Sequence, residues 1–389
     1  MRALFLPFTG VGQAFPVVPL AWAFRGAGHD VLVATTGDGL AVSEAGLPVV
    51  DLAPGRDSLS FYIEAAERRP DLAALQRPGG EVRGLDESAE LYAEVTRTIV
   101  VQTVGLARSW APDIIIAPAN NAAALVAAAA TRVPAVSLGV GLGRTTGLAQ
   151  ELHARLVPVF TEHATGDLPA LLNLDVAPPS MLDGPPDGRS MRYVAYSGGT
   201  VLPAWLRQPD RHRPRVAITL GTVSVKTGGL QALHALLGSA AAIDAEFVLA
   251  LGDVDLDVLG ELPPNVVPAG WAPLSELLPT CTTLIHHGGG GTAMSALAAG
   301  TTQLVLPDGV DRRDNADALH ARGVAVAAQP EDVDQKVIEH VMHSTAMSAA
   351  AAEVRAEIDT MPPPATLVPV LARLADSGSD AGGAQALGL

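Results

Sequence analysis

The sequence predicts an α/β protein with two doubly wound parallel-sheet domains. The chain has 389 residues, of which 48% are hydrophobic, and this length exceeds what a single core usually holds. Short β-branched segments alternate with longer Ala- and Leu-rich segments in both halves, a pattern typical of βαβ units. A stretch rich in glycine, proline and charge separates the two halves, as expected of an interdomain linker.

The first domain is predicted to span residues 1–200. Strands are expected at the apolar segments 3–6, 30–34, 114–117 and 135–138. Helices are expected between them, for example at residues 19–26 and 122–131. The segment at residues 54–94 is more polar and irregular, which predicts insertions that face the cleft.

The second domain is predicted to span residues 215–375, after a linker at residues 201–214. Its strands are expected at residues 215–220, 246–251, 283–285 and 302–306. Its helices are expected at residues 230–242, 274–278 and 292–299. A last helix at about residues 364–374 is expected to pack back on the first domain, and residues 376–389 are expected to be disordered.

Charge and cysteine content exclude several classes of function. The net charge of −16 and the pI near 4.9 argue against nucleic acid or an anionic membrane as a partner, because both attract Lys and Arg. Cys281 is the single cysteine, so an internal disulfide or a thiolate metal cluster is excluded. The apolar N-terminal segment breaks at Pro7 and Gly10, too early for a signal sequence or a membrane span. A cytoplasmic protein is expected.

A glycine-rich segment follows the strand predicted at residues 283–285. It consists of His286, His287, Gly288, Gly289, Gly290, Gly291 and Thr292. Glycines let backbone amides approach an anion, and the start of the next helix adds partial positive charge. His287 can donate a further hydrogen bond, and Thr292 can both cap the helix and donate to a phosphate oxygen. A plain glycine turn with core-facing histidines would show the same residues, so neighbouring motifs must decide.

This segment resembles the donor-site signature of GT-B family 1 glycosyltransferases, especially the actinobacterial enzymes that decorate natural products. Trp271, Ala272 and Pro273 match the family's segment that cradles the nucleotide base, and a loop tryptophan before proline can offer a stacking surface. A tryptophan of the domain core is the alternative. Gly221 and Thr222 stand where the family places a small hydroxyl residue near the pyrophosphate.

The segment after the strand at residues 302–306 resembles the family's sugar-binding exit. The resemblance implies that Asp311 hydrogen bonds to hydroxyls of the donor sugar. The family usually has Gln next, whereas this chain has Arg312, which cannot accept hydrogen bonds and brings a positive charge. A solvated charged loop is the alternative reading of these two residues.

The N-terminal half resembles the family as well. Residues 16–23 and 27–31 match its first loop, helix and second strand, and residues 178–180 match a segment before the linker. The resemblance therefore covers residues 1 to about 375. The order and spacing of the motifs carry it, because each motif alone is weak.

The histidine that serves this family as general base is absent. The resemblance places it in the first loop, three residues before a proline, where this chain has Gln13 before Pro16. An amide has no useful basicity near neutral pH, although it can orient an acceptor by hydrogen bonding. The acid that often orients the base belongs at the end of the strand at residues 114–117, where this chain has Pro118. The usual His–Asp dyad is therefore not expected.

Three readings stay open at this point. C-glycosylation of an aromatic polyketide needs no strong base, because an ionised phenol activates the ring carbon and the ring proton leaves after bond formation. O- or N-glycosylation would use an acidic acceptor or another base. His29 is disfavoured as that base because it abuts a strand, and the acids between Asp57 and Glu94 cannot be ranked. A non-catalytic accessory paralogue that binds nucleotide sugar is the third reading, which the retained donor motifs disfavour.

The resemblance implies the GT-B fold, an α/β architecture of two facing Rossmann-like doubly wound parallel-sheet domains. The acceptor is expected on the first domain and the donor on the second, at the carboxyl ends of the strands. An inverting transfer is expected, from a dTDP- or UDP-sugar to a small aromatic or polyketide acceptor, with a dTDP-deoxysugar preferred. Neither a cofactor nor a metal is expected, and a homodimer is one expectation for the assembly.

Overall fold

The computed structural model describes residues 1–72, 84–164, 166–207, 213–221, 231–307 and 312–378. The chain forms two compact units. Unit 1 comprises Met1–Ala177, Gly184–Arg192 and Met361–Leu389, and unit 2 comprises Pro178–Asp183 and Tyr193–Thr360. The chain thus enters the main part of unit 2 at Tyr193, ahead of the boundary expected near residue 200.

Unit 1 contains a parallel sheet, with seven strands among the described residues, in the order β3-β2-β1-β4-β5-β6-β7. The strands are β1 (Arg2–Phe5), β2 (Asp30–Thr35), β3 (Val49–Asp51), β4 (Ile114–Pro118), β5 (Ala135–Leu138), β6 (Leu171–Asp175) and β7 (Arg189–Ser190). The order reverses direction at β1, since the chain first builds outward through β2 and β3 and then returns to β4. Ligands of doubly wound sheets bind beside such a switch point.

Helices cover this sheet. They are α1 (Val11–Ala14), α2 (Val18–Gly26), α3 (Ser58–Arg68), α4 (Gly84–Arg97), α5 (Val100–Trp110), α6 (Ala122–Thr131) and α7 (Leu148–His163). The alanine-rich α6 is buried along most of its length, because small side chains let it approach α5 and the sheet closely. The expectation that residues 54–94 are irregular is wrong, because this segment contains the helix α3 and most of the helix α4. The amphipathic pattern of both helices is visible in the sequence and predicts them.

Unit 2 contains a second parallel sheet, with six strands among the described residues, in the order β10-β9-β8-β11-β12-β13. Its strands are β8 (Arg215–Thr219), β9 (Glu246–Leu249), β10 (Val266–Pro268), β11 (Thr283–His286), β12 (Thr302–Val305) and β13 (Ala325–Ala327). Every residue of β8, β11 and β12 is buried, as expected of central strands in a parallel sheet that is covered on both faces.

Helices of unit 2 follow its strands. They are α8 (Ala204–Arg207), α9 (Gln231–Ala240), α10 (Leu274–Leu277), α11 (Gly290–Ala299), α12 (Arg312–Ala321), α13 (Gln335–His343) and α14 (Thr345–Thr360). The predicted fold class, two doubly wound parallel sheets, is confirmed. No helix within the described ranges has both the length and the apolar character that crossing a membrane requires.

A last helix, α15 (Pro364–Ser377), belongs to unit 1 and packs against α2. It begins with Pro364 at its first position, where the missing N–H costs nothing. The helix extends three residues past the end expected at residue 374, so Asp376 and Ser377 are helical and the expected disorder from residue 376 is wrong for them. Residues 379–389 lie outside the described part of the chain.

Candidate functional site

The glycine-rich loop lies at the carboxyl end of β11, between the neighbouring strands β8 and β12. The first hydrogen bond of α11 runs from Ala293 N to Gly289 O (2.9 Å). The amides of Gly290, Gly291 and Thr292 therefore precede any intrahelical partner, and no side chain caps this end of the helix. Three amide donors and the positive end of a helix dipole meet here, which is the arrangement that binds phosphate in many proteins.

Thr292 does not cap α11 as the sequence suggested. The helix begins at Gly290, and Gly289 occupies the cap position, so Thr292 lies inside the first turn. Consecutive glycines allow this earlier start because their backbone follows the strand exit without steric conflict.

Side chains hold both the backbone N–H and the backbone carbonyl of Gly288. Its N–H donates to Nδ1 of His286 (3.1 Å), and its carbonyl accepts from Nδ2 of Asn315 (2.9 Å) on α12. Gly288 has φ +89°, and an added Cβ would lie 2.8 Å from the carbonyl oxygen of Arg312. Only glycine fits this conformation and this contact. The loop is therefore fixed to both β11 and α12 before any ligand arrives.

His286 is fully buried and acts within the loop's framework. Its Nε2 lies 2.9 Å from Oε1 of Gln303 on β12. Because Nδ1 accepts from Gly288 and Oε1 can only accept, the proton of the neutral ring resides on Nε2. Burial lowers the pKa of His286 to about 4, although the hydrogen bond with Gln303 works in the opposite direction. The ring is neutral at physiological pH.

His287 lies between two glycines. A Cβ added at Gly221 would lie 2.5 Å from its Cε1, and one added at Gly289 would lie 2.5 Å from its Nε2. Burial lowers the pKa of His287 well below its usual value, and the charge of Arg312 and the neighbouring His286 lower it further, against a hydrogen bond with the Thr219 backbone. Its Nδ1 is buried and lacks a hydrogen-bond partner among the described residues. A neutral imidazole here can offer a hydrogen bond but not a positive charge.

Trp271 is not a core tryptophan, because 44% of its surface is exposed. Its Nε1 donates to the carbonyl of Ser197 (3.1 Å), which fixes the ring while leaving part of it accessible. Ala272 and Pro273 follow, and Pro273 begins α10 as its N-cap. An exposed ring held at its polar edge can stack on a planar ligand.

The remaining predicted donor residues are only partly described. Gly221 lies two residues past the end of β8 and touches His287, as stated above. Arg312 is the first residue of α12, and its charge reaches His287. Thr222 and Asp311 lie outside the described residues.

Gln13 lies in the short helix α1, which follows the carboxyl end of β1. Its Oε1 is buried and has no hydrogen-bond partner in the described part of the chain. The loop before it is tied down by Thr9, whose hydroxyl donates to Ser58 Oγ (2.6 Å), and by Thr35, whose hydroxyl donates to the Phe8 carbonyl (3.1 Å). An amide oxygen without such a partner can accept a hydrogen bond from a ligand hydroxyl.

Pro118 ends β4, at the position where the sequence indicated that an acid was missing. Asn121 donates through Nδ2 to the carbonyl of Leu6 (2.8 Å), so the turn after β4 lies beside the exit of β1. A cavity of about 140 Å³ adjoins Pro118 and Asn121 and extends under α7. Its lining includes Ser137, Thr146 and Asp187.

Other candidates for a general base are already engaged. His29 directly precedes β2, so it lies at the amino end of the sheet, opposite to the end that Gln13 follows, and its ring packs on Phe24.

Several acids of α3 and α4 are held by arginines. Glu64 pairs with Arg56 and Arg68; burial works to raise the pKa of Glu64, but these hydrogen bonds lower it overall. The hydrogen bond from Arg69, followed by that from Arg155, lowers the pKa of Glu90 despite some burial. Carboxylates whose pKa values are lowered in this way are weak bases.

Within the described ranges, no three His, Cys, Asp or Glu side chains are grouped so that they could hold a metal ion. The expectation that the chain needs no metal stays a prediction.

Sequence reasoning missed the residues that support the loop. Gln303 lies in the buried strand β12, and a buried amide in such a strand is a usable signal for a hydrogen-bond partner. Asn315 and Tyr193 gave no such signal, because their partners are backbone carbonyls in a distant part of the sequence.

Both halves of the chain match models of one protein family. The model described as "Erythromycin biosynthesis protein CIII-like, N-terminal domain" matches residues 22–221, and the C-terminal domain of the same description matches residues 234–374. Among relatives, the elloramycin glycosyltransferase ElmGT of Streptomyces olivaceus is 38% identical over 371 residues, which is 94% of this chain and 95% of ElmGT.

Solved structures agree with this match. The glycosyltransferase SnogD from Streptomyces nogalater superposes with a TM-score of 0.83 at 37% identity, covering 96% of this chain and 99% of SnogD. The glycosyltransferase SsfS6 from Streptomyces sp. SF2575, complexed with thymidine diphosphate, gives a TM-score of 0.79 at 29% identity, covering 96% of this chain and 99% of SsfS6.

The neutral state of His286 predicts a loss of stability in acid. The folded-state pKa of about 4 lies below the ordinary 6.5, so the unfolded chain binds more protons below pH 6.5 and stability falls as the pH drops toward 4. Between about pH 7 and about pH 5, His286 alone should remove on the order of 2 kcal/mol of unfolding free energy.

Urea unfolding at these two pH values measures the loss. His286→Gln should reduce it, whereas His343→Gln, at an exposed position on α13, should leave it unchanged. An equal loss in His286→Gln and in the wild type would contradict the neutral, buried state of His286.

Proposed function

We propose that this chain, which belongs to the EryCIII-like family of antibiotic glycosyltransferases, transfers a deoxysugar from dTDP to an aromatic or polyketide natural product. The observation that carries the proposal is the loop between β11 and α11. It joins three helix amides that have no partner inside the helix, a neutral buried histidine and a fixed glycine at the carboxyl edge of a doubly wound sheet. These are the parts needed to hold a diphosphate in a protein with a net charge of −16.

The diphosphate of the donor binds at the amides of Gly290, Gly291 and Thr292 in this proposal, with His287 donating a further hydrogen bond. During transfer the bond from the anomeric carbon to the diphosphate oxygen breaks, and its electron pair stays on that oxygen. The amides and the helix dipole stabilise the developing negative charge without reorganisation, because the loop is already fixed. Gly221 and Thr222 would complete the diphosphate site.

Trp271, with Ala272 and Pro273, receives the nucleotide base. The exposed ring supports this role, and the thymidine diphosphate bound in SsfS6 supports dTDP as the nucleotide. Asp311 is proposed to hydrogen bond to the sugar hydroxyls. Arg312 replaces a residue that could accept hydrogen bonds, so a sugar with fewer hydroxyls fits better than a fully hydroxylated one.

The acceptor lies on unit 1 in this proposal, near Gln13 and the exit of β1. Phe8 packs edge-on against Phe61 and Tyr62, with ring centroids 5.9 and 6.3 Å apart, directly before the loop that carries Gln13. Phe8 and Phe61 are buried in the core of unit 1, so this cluster supports the loop that carries Gln13. The Oε1 of Gln13, which has no partner among the described residues, would accept a hydrogen bond from an acceptor hydroxyl.

A C-glycoside is the product we favour, because neither Gln13 nor Pro118 can remove a proton. The ring carbon beside an ionised phenol attacks the anomeric carbon, dTDP leaves from the opposite face, and the ring proton is then lost to water. O- or N-transfer with an acidic acceptor remains the second candidate, and the ion pairs of Glu64 and Glu90 weigh against a carboxylate base from α3 or α4. An accessory role without turnover is the third candidate.

Turnover with defined donors tests these candidates. The purified protein is incubated with dTDP- and UDP-deoxysugars and phenolic aglycones, and the products are analysed by mass spectrometry before and after acid hydrolysis. We expect turnover with dTDP-sugars, unchanged by EDTA, and a product that survives acid. An acid-labile product would refute C-glycosylation, and dTDP binding without any turnover would favour the accessory role.

Gln13→Ala tests the acceptor site. Loss of one hydrogen bond should raise KM for the acceptor by roughly three- to tenfold and leave dTDP affinity unchanged. Gln102→Ala, at an exposed position on α5, is the matched control and should change neither. If Gln13→Ala instead weakens dTDP binding and leaves the acceptor KM unaltered, Gln13 does not orient the acceptor.

A further inference from the structure

The segment at residues 193–198, here called the donor strap, contacts both parts of the proposed donor site. It begins where the chain leaves unit 1 after Arg192. Its first anchor is Tyr193, a buried residue whose hydroxyl donates to the carbonyl of Gly291 (3.1 Å) and lies 3.2 Å from Ser295 Oγ. Ser295 also donates to the Gly291 carbonyl (2.7 Å), so two side chains fix the first turn of α11 at this oxygen.

The second anchor of the donor strap holds Trp271. The carbonyl of Ser197 accepts the hydrogen bond from Trp271 Nε1 (3.1 Å). The next residue, Gly198, has φ +82°, and a Cβ added there would lie 3.2 Å from the same nitrogen. The position of the exposed indole therefore depends on the backbone of the strap.

The two anchors are four residues apart, and the segment between them has no regular secondary structure. Four extended residues span at most about 14 Å, which limits the distance between the Cα atoms of Tyr193 and Ser197. Trp271 lies in the loop before α10, whereas Gly291 lies in α11. The donor strap thus links two elements that a nucleoside diphosphate would have to contact together.

Resting on the proposed function, we propose that the donor strap sets the spacing between the base platform at Trp271 and the phosphate-binding turn of α11. Tyr193 is then a positioning residue for the nucleoside diphosphate, although it does not touch the reacting atoms. The affinity for a ligand that contacts both elements therefore depends on both anchors of the donor strap. Releasing one anchor leaves the spacing undefined, so the second anchor then contributes little.

A double-mutant cycle on dTDP affinity, measured by calorimetry, tests this inference. Tyr193→Phe removes the hydroxyl, and Gly198→Ala displaces the strap at the indole. Each should weaken dTDP binding by roughly three- to tenfold, and the double variant should be no weaker than the worse single variant. Val201→Ala, at a 95% exposed position just beyond the strap, is the control and should bind like the wild type. Unaltered affinity in both single variants, or fully additive losses, would overturn the inference.

Fluorescence without nucleotide separates failure of the strap from failure of the proposed function. Acrylamide quenching of Trp271 is obtained as the difference between each protein and the same protein carrying Trp271→Phe, because three other tryptophans remain. Tyr193→Phe should increase the quenching of Trp271, since the strap that holds the indole is loosened. Unchanged quenching would overturn the inference that the donor strap positions Trp271, even if dTDP binds. Increased quenching in a protein that binds no dTDP would support that inference and refute the proposed function.

Discussion

The candidate site depends on two hydrogen bonds that hold the backbone N–H and the backbone carbonyl of Gly288. His286 holds the amide and Asn315 holds the carbonyl, so the chain leaves β11 in one fixed direction. That direction places Gly289 against His287 and starts α11 at Gly290. Each hydrogen bond contributes only about 0.5–1.5 kcal/mol to stability. Their larger effect is that the helix amides point to a defined place before a ligand binds.

The strand register supplies the other neighbours of the loop. His286 pairs with Thr219 on β8 and with Val305 on β12. The residues that follow these strands, Gly221 after β8 and Arg312 at the start of α12, therefore meet the loop from its two sides. A doubly wound sheet collects functional groups in this way because parallel strands end at the same edge. A substitution after one of these strands should consequently displace residues that follow the neighbouring strands.

The proposed site would let an acidic enzyme recognise a diphosphate without a basic patch. Neutral donors and a helix dipole would do the binding, and burial lowers the pKa of both histidines so that neither carries charge at neutral pH. A site of this kind depends less on salt than a cluster of lysines would, because fewer exposed charges are screened. The arrangement also has a cost, since Gln303 Nε2 and His287 Nδ1 are buried without partners among the described residues.

The pattern of short apolar segments in the sequence predicts most of the central strands of both sheets, because a continuous apolar run such as that of β4 is easily recognised. It does not predict β3, β6, β7, β10 or β13, and all of these except β6 have only two or three residues. The glycine loop could be located from composition and resemblance. The side chains that hold the loop could not be predicted, because Tyr193 and Asn315 donate to backbone carbonyls that are 98 and 27 residues away. The sequence also did not predict the exact start of α11, because glycine has a low helix propensity.

The contact between His287 and Gly289 allows the most direct test of the central claim that this loop binds the donor diphosphate. Gly289 has an ordinary negative φ, so alanine is strained there only by the His287 ring. The measurement is dTDP affinity in Gly289→Ala, alone and combined with His287→Ala, with Gly238→Ala on α9 as a control in open space. Gly289→Ala should weaken binding by about tenfold or more in the wild type and cost little more once His287 is removed. Unchanged affinity in Gly289→Ala and His287→Ala would contradict the claim.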